Sequence, residues 1–187
     1  MNQNIDIRIT KTDKLIREAF LELANTIGFE KITVMNLTKK AMISRTTFYS
    51  HYKDKYDVLE QIENELLSGM KNIVNKDFLI KDTSLYLLSV YKYVEANKEV
   101  FKLFMCNNLN SSFYFKFHEC IRDLYNENIN SINIVDVPEN YAIALIASVH
   151  TGIIREWIKS GMKESPEELS SMFINIIRNI SNIQVRL

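Results

Sequence analysis

Apolar residues fall three and four positions apart through most of this chain, and the N-terminal third shows the pattern plainly. Leu15, Ile16, Ala19, Phe20, Leu23, Ala24 and Ile27 line one face of a helix, with Thr12 or Asp13 available to cap its start and Gly28 placed where it ends. A short second helix spans Val34 to Ala41, with Leu37 and Ala41 as its apolar stripe and Thr33 as its N-cap. Ser44 caps a third, in which Phe48 and Tyr52 stand one turn apart. Asp54 opens a longer fourth helix whose stripe runs Leu59, Ile62, Leu66, Met70 and Ile73. Two short helices joined by a tight turn and packed on longer ones predict a helix-turn-helix.

The same periodicity predicts further helices over 84–96, 98–106 and 112–128, and two longer ones over 138–159 and 166–183, each opened by a proline. The expected fold is all-α. It has a helix-turn-helix domain over residues 1–56, a connecting helix over 57–74, and a C-terminal helical bundle over 75–187.

The third helix carries the candidate chemistry. With Phe48 and Tyr52 turned inward, about 100° per residue sends Thr46, Thr47 and Ser50 outward and leaves Tyr49 and His51 on the flanks. Small hydroxyls on such a crest fit a DNA major groove, and the flanking Tyr and His reach phosphates on either wall. Arg45, in the first turn, reaches a guanine edge or a phosphate. Thr33 and Lys55 lie at helix N-termini, where free amides favour phosphate.

Charge points the same way. The chain as a whole balances 23 basic against 23 acidic residues. Between Lys31 and Tyr56, however, Lys31, Lys39, Lys40, Arg45, Lys53 and Lys55 face Asp54 alone, a local excess expected to meet a polyanion.

Other chemistries lack their residues. Glycine occurs only at 28, 69, 152 and 161, which excludes a Gly-rich phosphate loop. Cys106 and Cys120 have no metal or redox spacing and read as small apolar residues, and His51, His118 and His150 are too scattered for a metal set. No catalytic constellation, metal site or cofactor is expected. The N-terminus has no signal-like apolar stretch and no segment has the length of a membrane span, so a cytoplasmic protein with no membrane partner is expected.

The segment "TVMNLTKKAMISRTTFYSHYKDKYDVLEQI", preceded by "IREAFLELANTIGFEKI", resembles the DNA-binding domain of the TetR/AcrR family of bacterial repressors. The resemblance covers residues 10 to about 62 and implies DNA contacts at Thr33, Ser44, Arg45, Thr46, Thr47, Tyr49, His51 and Lys55. It implies a homodimer on a near-palindromic double-stranded operator, released by an effector. Met42 stands where the family often has glycine; a left-handed residue there costs about 1–2 kcal/mol without glycine, so a different turn conformation is expected.

The C-terminal helices suggest how two copies meet. Ala144, Ala147, Ser148, Thr151 and Gly152 keep one side of the penultimate helix small, with Ile153 and Trp157 beyond it, and the last helix carries a wide stripe that includes Phe173 and Ile177. Ser148, Gly152, Ile153, Trp157, Phe173 and Ile177 are the expected dimer face. The segment "HTGIIREWIKSGMKESPEEL" also resembles the dimerising end of TetR-like regulators grouped with those of dihydroxyacetone utilisation. The aromatic-rich stretch between residues 78 and 125 offers Tyr86, Tyr93, Phe104 and Phe117 as an effector pocket, because phenols and apolar rings together suit a small, mostly apolar ligand. The resemblance also admits a coactivator protein in the effector's place. The alternative to a repressor is a protein-interaction module whose C-terminal domain docks a partner.

Overall fold

The computed structural model describes residues 3–73, 83–106, 111–126 and 137–181. Its helices are α1 (Gln3–Thr26), α2 (Val34–Lys40), α3 (Arg45–Tyr49), α4 (Lys55–Ile73), α5 (Thr83–Ala96), α6 (Lys98–Cys106), α7 (Ser111–Asn126), α8 (Glu139–Lys159) and α9 (Pro166–Ser181). There is no strand among the described residues. The all-α expectation holds. The expected ends at Asn128 and Ile183 lie outside the described residues.

Two compact units divide the chain, Met1–Leu66 and Leu67–Leu187. The division falls inside α4, so the first three turns of that helix belong to the N-terminal core.

In the N-terminal unit, α1 starts at Gln3, well before the expected caps, because no proline or glycine interrupts the chain there. Asp13 sits inside the helix and pairs with Arg17 at 2.8 Å. Gly28 ends α1 with φ 81, and a 3-10 turn over Phe29–Lys31 follows. Thr33 and Asn36 then form a capping box at α2: Thr33 Oγ1 accepts from Asn36 N–H, and Asn36 Oδ1 accepts from Thr33 N–H, both at 3.1 Å. Asp54 Oδ1 caps α4 by accepting from Tyr56 and Asp57 N–H at 2.8 and 3.0 Å. Ile16, Phe20, Leu37, Phe48 and Val58 fill the core, and Phe29 meets Phe20 and Tyr56 edge-on at its rim.

The turn between α2 and α3 corrects the expectation drawn from Met42. Met42 takes the left-handed conformation, φ 54, although it is not glycine. Ile43 N–H donates to Thr38 O at 3.0 Å and Met42 N–H to Lys39 O at 3.4 Å, which is the Schellman pattern and satisfies the last carbonyls of α2. Those two bonds hold the left-handed residue in place despite its Cβ.

In the C-terminal unit α5 packs on α9, and α6 and α7 both pack on α8. Tyr93 of α5 lies so close to α4 that a Cβ at Gly69 would crowd its hydroxyl end. Glycine at 69 thus leaves room for the Tyr93 ring, which would have to shift to admit a larger residue. Pro138 is the N-cap of α8 and Pro166 the first residue of α9. Ser165 and Glu168 box the start of α9, with Ser165 N–H donating to Glu168 Oε2 at 2.8 Å.

Candidate functional site

The candidate surface is built on one short helix with one buried edge. Ser44 caps α3: its Oγ accepts from Thr47 N–H at 3.0 Å and lies 2.8 Å from Thr47 Oγ1. Phe48 of α3 is buried, and so is Tyr52, which lies beyond the helix's end at Tyr49 rather than within the third helix as expected. Tyr52 donates its hydroxyl hydrogen to Asp13 and accepts from Arg17 Nε at 3.2 Å, while Arg17 forms a two-pronged ion pair with Glu65 of α4. Burial first, then the hydrogen bond to Asp13, pushes the Tyr52 phenol up to about 12. α1 is thus tied both to α4 and, through Tyr52, to the segment that follows α3.

Arg45, Thr46, Tyr49 and Ser50 are exposed on that outward side. Tyr49 is 58% exposed, a large area for an aromatic side chain with one ring neighbour, Phe48, at 5.6 Å. Ser50 Oγ donates back to Thr47 O at 2.7 Å, and the Thr47 hydroxyl is committed to the Ser44 cap. Arg45, Thr46 and Tyr49 make no side-chain hydrogen bond or ion pair among the described residues. His51 is half-buried and stacked on Tyr52.

The charged groups divide in the same manner. Lys31, Lys39, Arg45 and Lys53 are exposed and make no ion pair among the described residues, whereas Lys40 is paired with Glu22. Lys55 is turned back into the protein. Its ammonium donates to the carbonyls of Phe29 and Glu30 at 3.1 and 3.0 Å and lies 4.6 Å from the Phe29 ring centroid. Two of its three N–H donors are therefore used to hold the 3-10 turn. Thr33 likewise spends its hydroxyl on Asn36, 2.6 Å away. Periodicity alone missed Asn36 and the Arg17–Glu65 pair. The Thr-x-x-Asn spacing signals the first, and no local spacing signals a contact between helices.

The C-terminal part supplies the deciding observation. The TetR-type model of a transcriptional regulator C-terminal region matches residues 81–179, more than half of the chain. The protein belongs to the TetR family of transcriptional regulators. Among relatives, the dhaKLM operon transcriptional activator DhaS of Lactococcus lactis is 25% identical over 171 residues, 89% of this chain and 88% of DhaS. The helix-turn-helix-type regulator YxbF of Bacillus subtilis is 37% identical over 59 residues, 31% of this chain, which spans 16% of YxbF. A TetR transcriptional regulator from Streptococcus agalactiae has the same fold, with a TM-score of 0.72 at 24% identity over 95% of this chain and 99% of that one.

In this TetR-family regulator the residues expected at a dimer face separate into two groups. Ser148 and Gly152 are exposed on α8, and Ile153 and Ile177 are half-exposed. Trp157 is only 2% exposed and donates its indole N–H to Glu164 O at 2.9 Å, and Phe173 lies 4.7 Å from the His150 ring, ring centre to ring centre. Both belong to the chain's own core and have no surface to offer a second copy, which corrects their assignment. The small residues of α8 divide likewise: Ala147 and Thr151 are buried, while Ser148 and Gly152 face outward together with Tyr141 and Leu145.

The expected effector residues also divide. Tyr93, Phe104 and Phe117 join Phe101 and Phe113 in a packed aromatic cluster, with ring centroids between 4.9 and 6.2 Å apart. Tyr86 instead meets Tyr125 edge-on at 6.3 Å. Among the described residues no cluster of His, Cys, Asp or Glu has metal-binding geometry, and no helix is long and apolar enough to cross a membrane.

Proposed function

We propose that this regulator binds a near-palindromic DNA operator as a homodimer, with α3 of each copy in the major groove, and that an effector in the C-terminal unit releases it. The observation that carries this reading is the outward side of α3. Arg45, Thr46 and Tyr49 are exposed on a helix whose opposite side is anchored by Phe48, between exposed lysines that make no ion pair among the described residues. Arg45 and Thr46 read base edges. Tyr49, His51, Lys39 and Lys53 contact phosphate. Ser44, Thr47 and Thr33 act chiefly as caps that set the helices, and the third N–H of Lys55 remains for a phosphate at the start of α4.

The N-terminal unit is the DNA-binding domain and the C-terminal unit carries dimerisation and effector control. The dimer face consists of Ser148, Gly152, Ile153 and Ile177, widened by Tyr141, Leu145 and Met172, which are all exposed apolar side chains of α8 or α9.

Selecting bound fragments from random DNA with the purified protein tests the reading. A two-fold symmetric consensus with half-sites about 34–36 Å apart, or a multiple of that, is expected. No enrichment, or an asymmetric single site, would overturn it. The expected sign of regulation is repression. DhaS, similar over nearly its whole length, is named an activator, which supports activation as the second reading. Deleting the gene and measuring transcripts beside the selected operator separates them, since transcripts rise on loss of a repressor and fall on loss of an activator.

A further inference from the structure

Among the described side chains of the N-terminal unit, the large apolar ones that are more than half exposed are Met35, Met42, Tyr49 and Tyr56. All four fall between the start of α2 and the first turn of α4, in the segment that also holds the exposed cations Lys39, Arg45 and Lys53. The two tyrosines have a hydroxyl to offer water or phosphate. The two methionines have only a thioether, a weak acceptor, so their exposure has no polar compensation.

One exposed apolar side chain is ordinary, but Met42 carries a second cost. It holds φ 54 past the end of α2, where glycine would be unstrained, and at 92% exposure no burial within the chain offsets this. Strain kept without internal compensation points to a contact outside the chain. Position 42 is two residues before the Ser44 cap, at the end of α3 that bears Arg45 and Thr46. Met35, 58% exposed, lies one turn before Lys39 on the side of α2 opposite the buried Leu37 and Ala41. Lys39 thus stands between the two methionines in sequence, and cations on both sides of Met42 favour a polyanion over an apolar protein surface.

The major groove of a DNA duplex offers one apolar group, the C5 methyl of thymine. An unbranched, polarizable thioether adapts to such a small and irregular contact. We propose that Met35 and Met42 are specificity-determining residues of this regulator that pack on thymine methyl groups beside the base pairs read by Arg45 and Thr46. This rests on the DNA-binding reading above and adds to it a preference for thymine on either side of those base pairs. The strained methionine is then retained for the operator, at the expense of stability that glycine would restore.

The test uses full-length protein and the duplex it selects from random DNA, with each thymine replaced in turn by deoxyuridine. That replacement removes the C5 methyl and leaves every hydrogen-bonding group in place. The wild type is expected to bind about fourfold more weakly for each contacted thymine so replaced. Met35→Ala and Met42→Gly should each abolish the penalty at one thymine, with the dependence of log affinity on log salt unchanged, since neither removes a phosphate contact. Met42→Gly should also melt no lower than the wild type, which separates lost contact from lost fold. A selected half-site without thymine, deoxyuridine duplexes that bind as tightly as the parent, or penalties that persist in both variants would overturn the proposal. Variants that weaken the selected duplex and an unrelated duplex equally would overturn it too, because they would place the thioethers on the sugar backbone. Failure to select any duplex would instead overturn the DNA-binding reading, and this assignment with it.

Discussion

Met42 and Gly161 hold the same position past the ends of two different helices. Each is the left-handed residue of a Schellman turn, Met42 after α2 with φ 54 and Gly161 after α8 with φ 89. The turn after α8 uses the residue that suits it, and the turn inside the helix-turn-helix does not. Met42 is also 92% exposed, so its side chain gains no burial in return.

Met42→Gly is therefore expected to stabilise the protein. The left-handed conformation costs a non-glycine residue about 1–2 kcal/mol, and the extra freedom of glycine in the unfolded chain returns about 0.5–1 of it. A net gain of roughly 0.5–1 kcal/mol should appear as a higher urea midpoint with an unchanged slope. A lower midpoint would mean that the thioether makes a stabilising contact in solution.

Two lysines of the N-terminal unit should behave differently on truncation. Lys39 is exposed and makes no ion pair among the described residues, so Lys39→Ala should leave the melting temperature unchanged and flatten the dependence of log affinity on log salt by about 0.9. Lys55→Ala removes two hydrogen bonds to the carbonyls of Phe29 and Glu30 as well as a charge. It should lower stability by about 1–3 kcal/mol in addition to weakening DNA binding. Equal melting temperatures for the two variants would show that the ammonium of Lys55 is free for phosphate.

The difference between those lysines was not legible in the sequence, where both are basic residues near helix ends. Local patterns carried the rest of the N-terminal unit well. Thr33, Ser44 and Asp54 announce their caps by residue type, and the Phe48–Tyr52 spacing places the buried edge of α3, because each depends on neighbours within one turn. Met42 shows the limit of a local rule, since two backbone hydrogen bonds outweighed the steric preference of one residue. Trp157 and Phe173 show another: helical spacing reports that a side chain is apolar and on a stripe, but a stripe wide enough for two partners does not say which residues meet the subunit's own core. The Tyr125–His150 hydrogen bond joins helices far apart in sequence, so no local spacing could announce it.

Dimerisation should respond to the outward residues of α8 and α9 and be insensitive to their route through the core. Leu145→Asp and Ile177→Asp put a charge on surface that is partly exposed in the single chain, so the subunit should fold while the association is lost. Sedimentation should show monomers with intact helical circular dichroism. Operator affinity should fall with them, because each half-site is then bound alone. Dimers that persist in both variants would move the interface to another face.

Acid should destabilise the protein through His150. The imidazole is fully buried, and burial lowers it from 6.5 to about 3. Between those values the unfolded chain takes up a proton that the folded chain refuses. The stabilisation associated with the neutral ring is thus complete above pH 6.5 and is lost as the pH falls through this window toward 3. Within the window the loss approaches about 1.4 kcal/mol per pH unit. Urea unfolding of the wild type and of His150→Gln at successive pH values isolates this contribution from the surface carboxylates common to both. The stability difference between the two should be flat from pH 8 to 7 and should shift steadily against the wild type from about pH 6 downward. Parallel curves over the whole range would show that the folded protein accepts the proton, with water or a bound group already reaching Nε2.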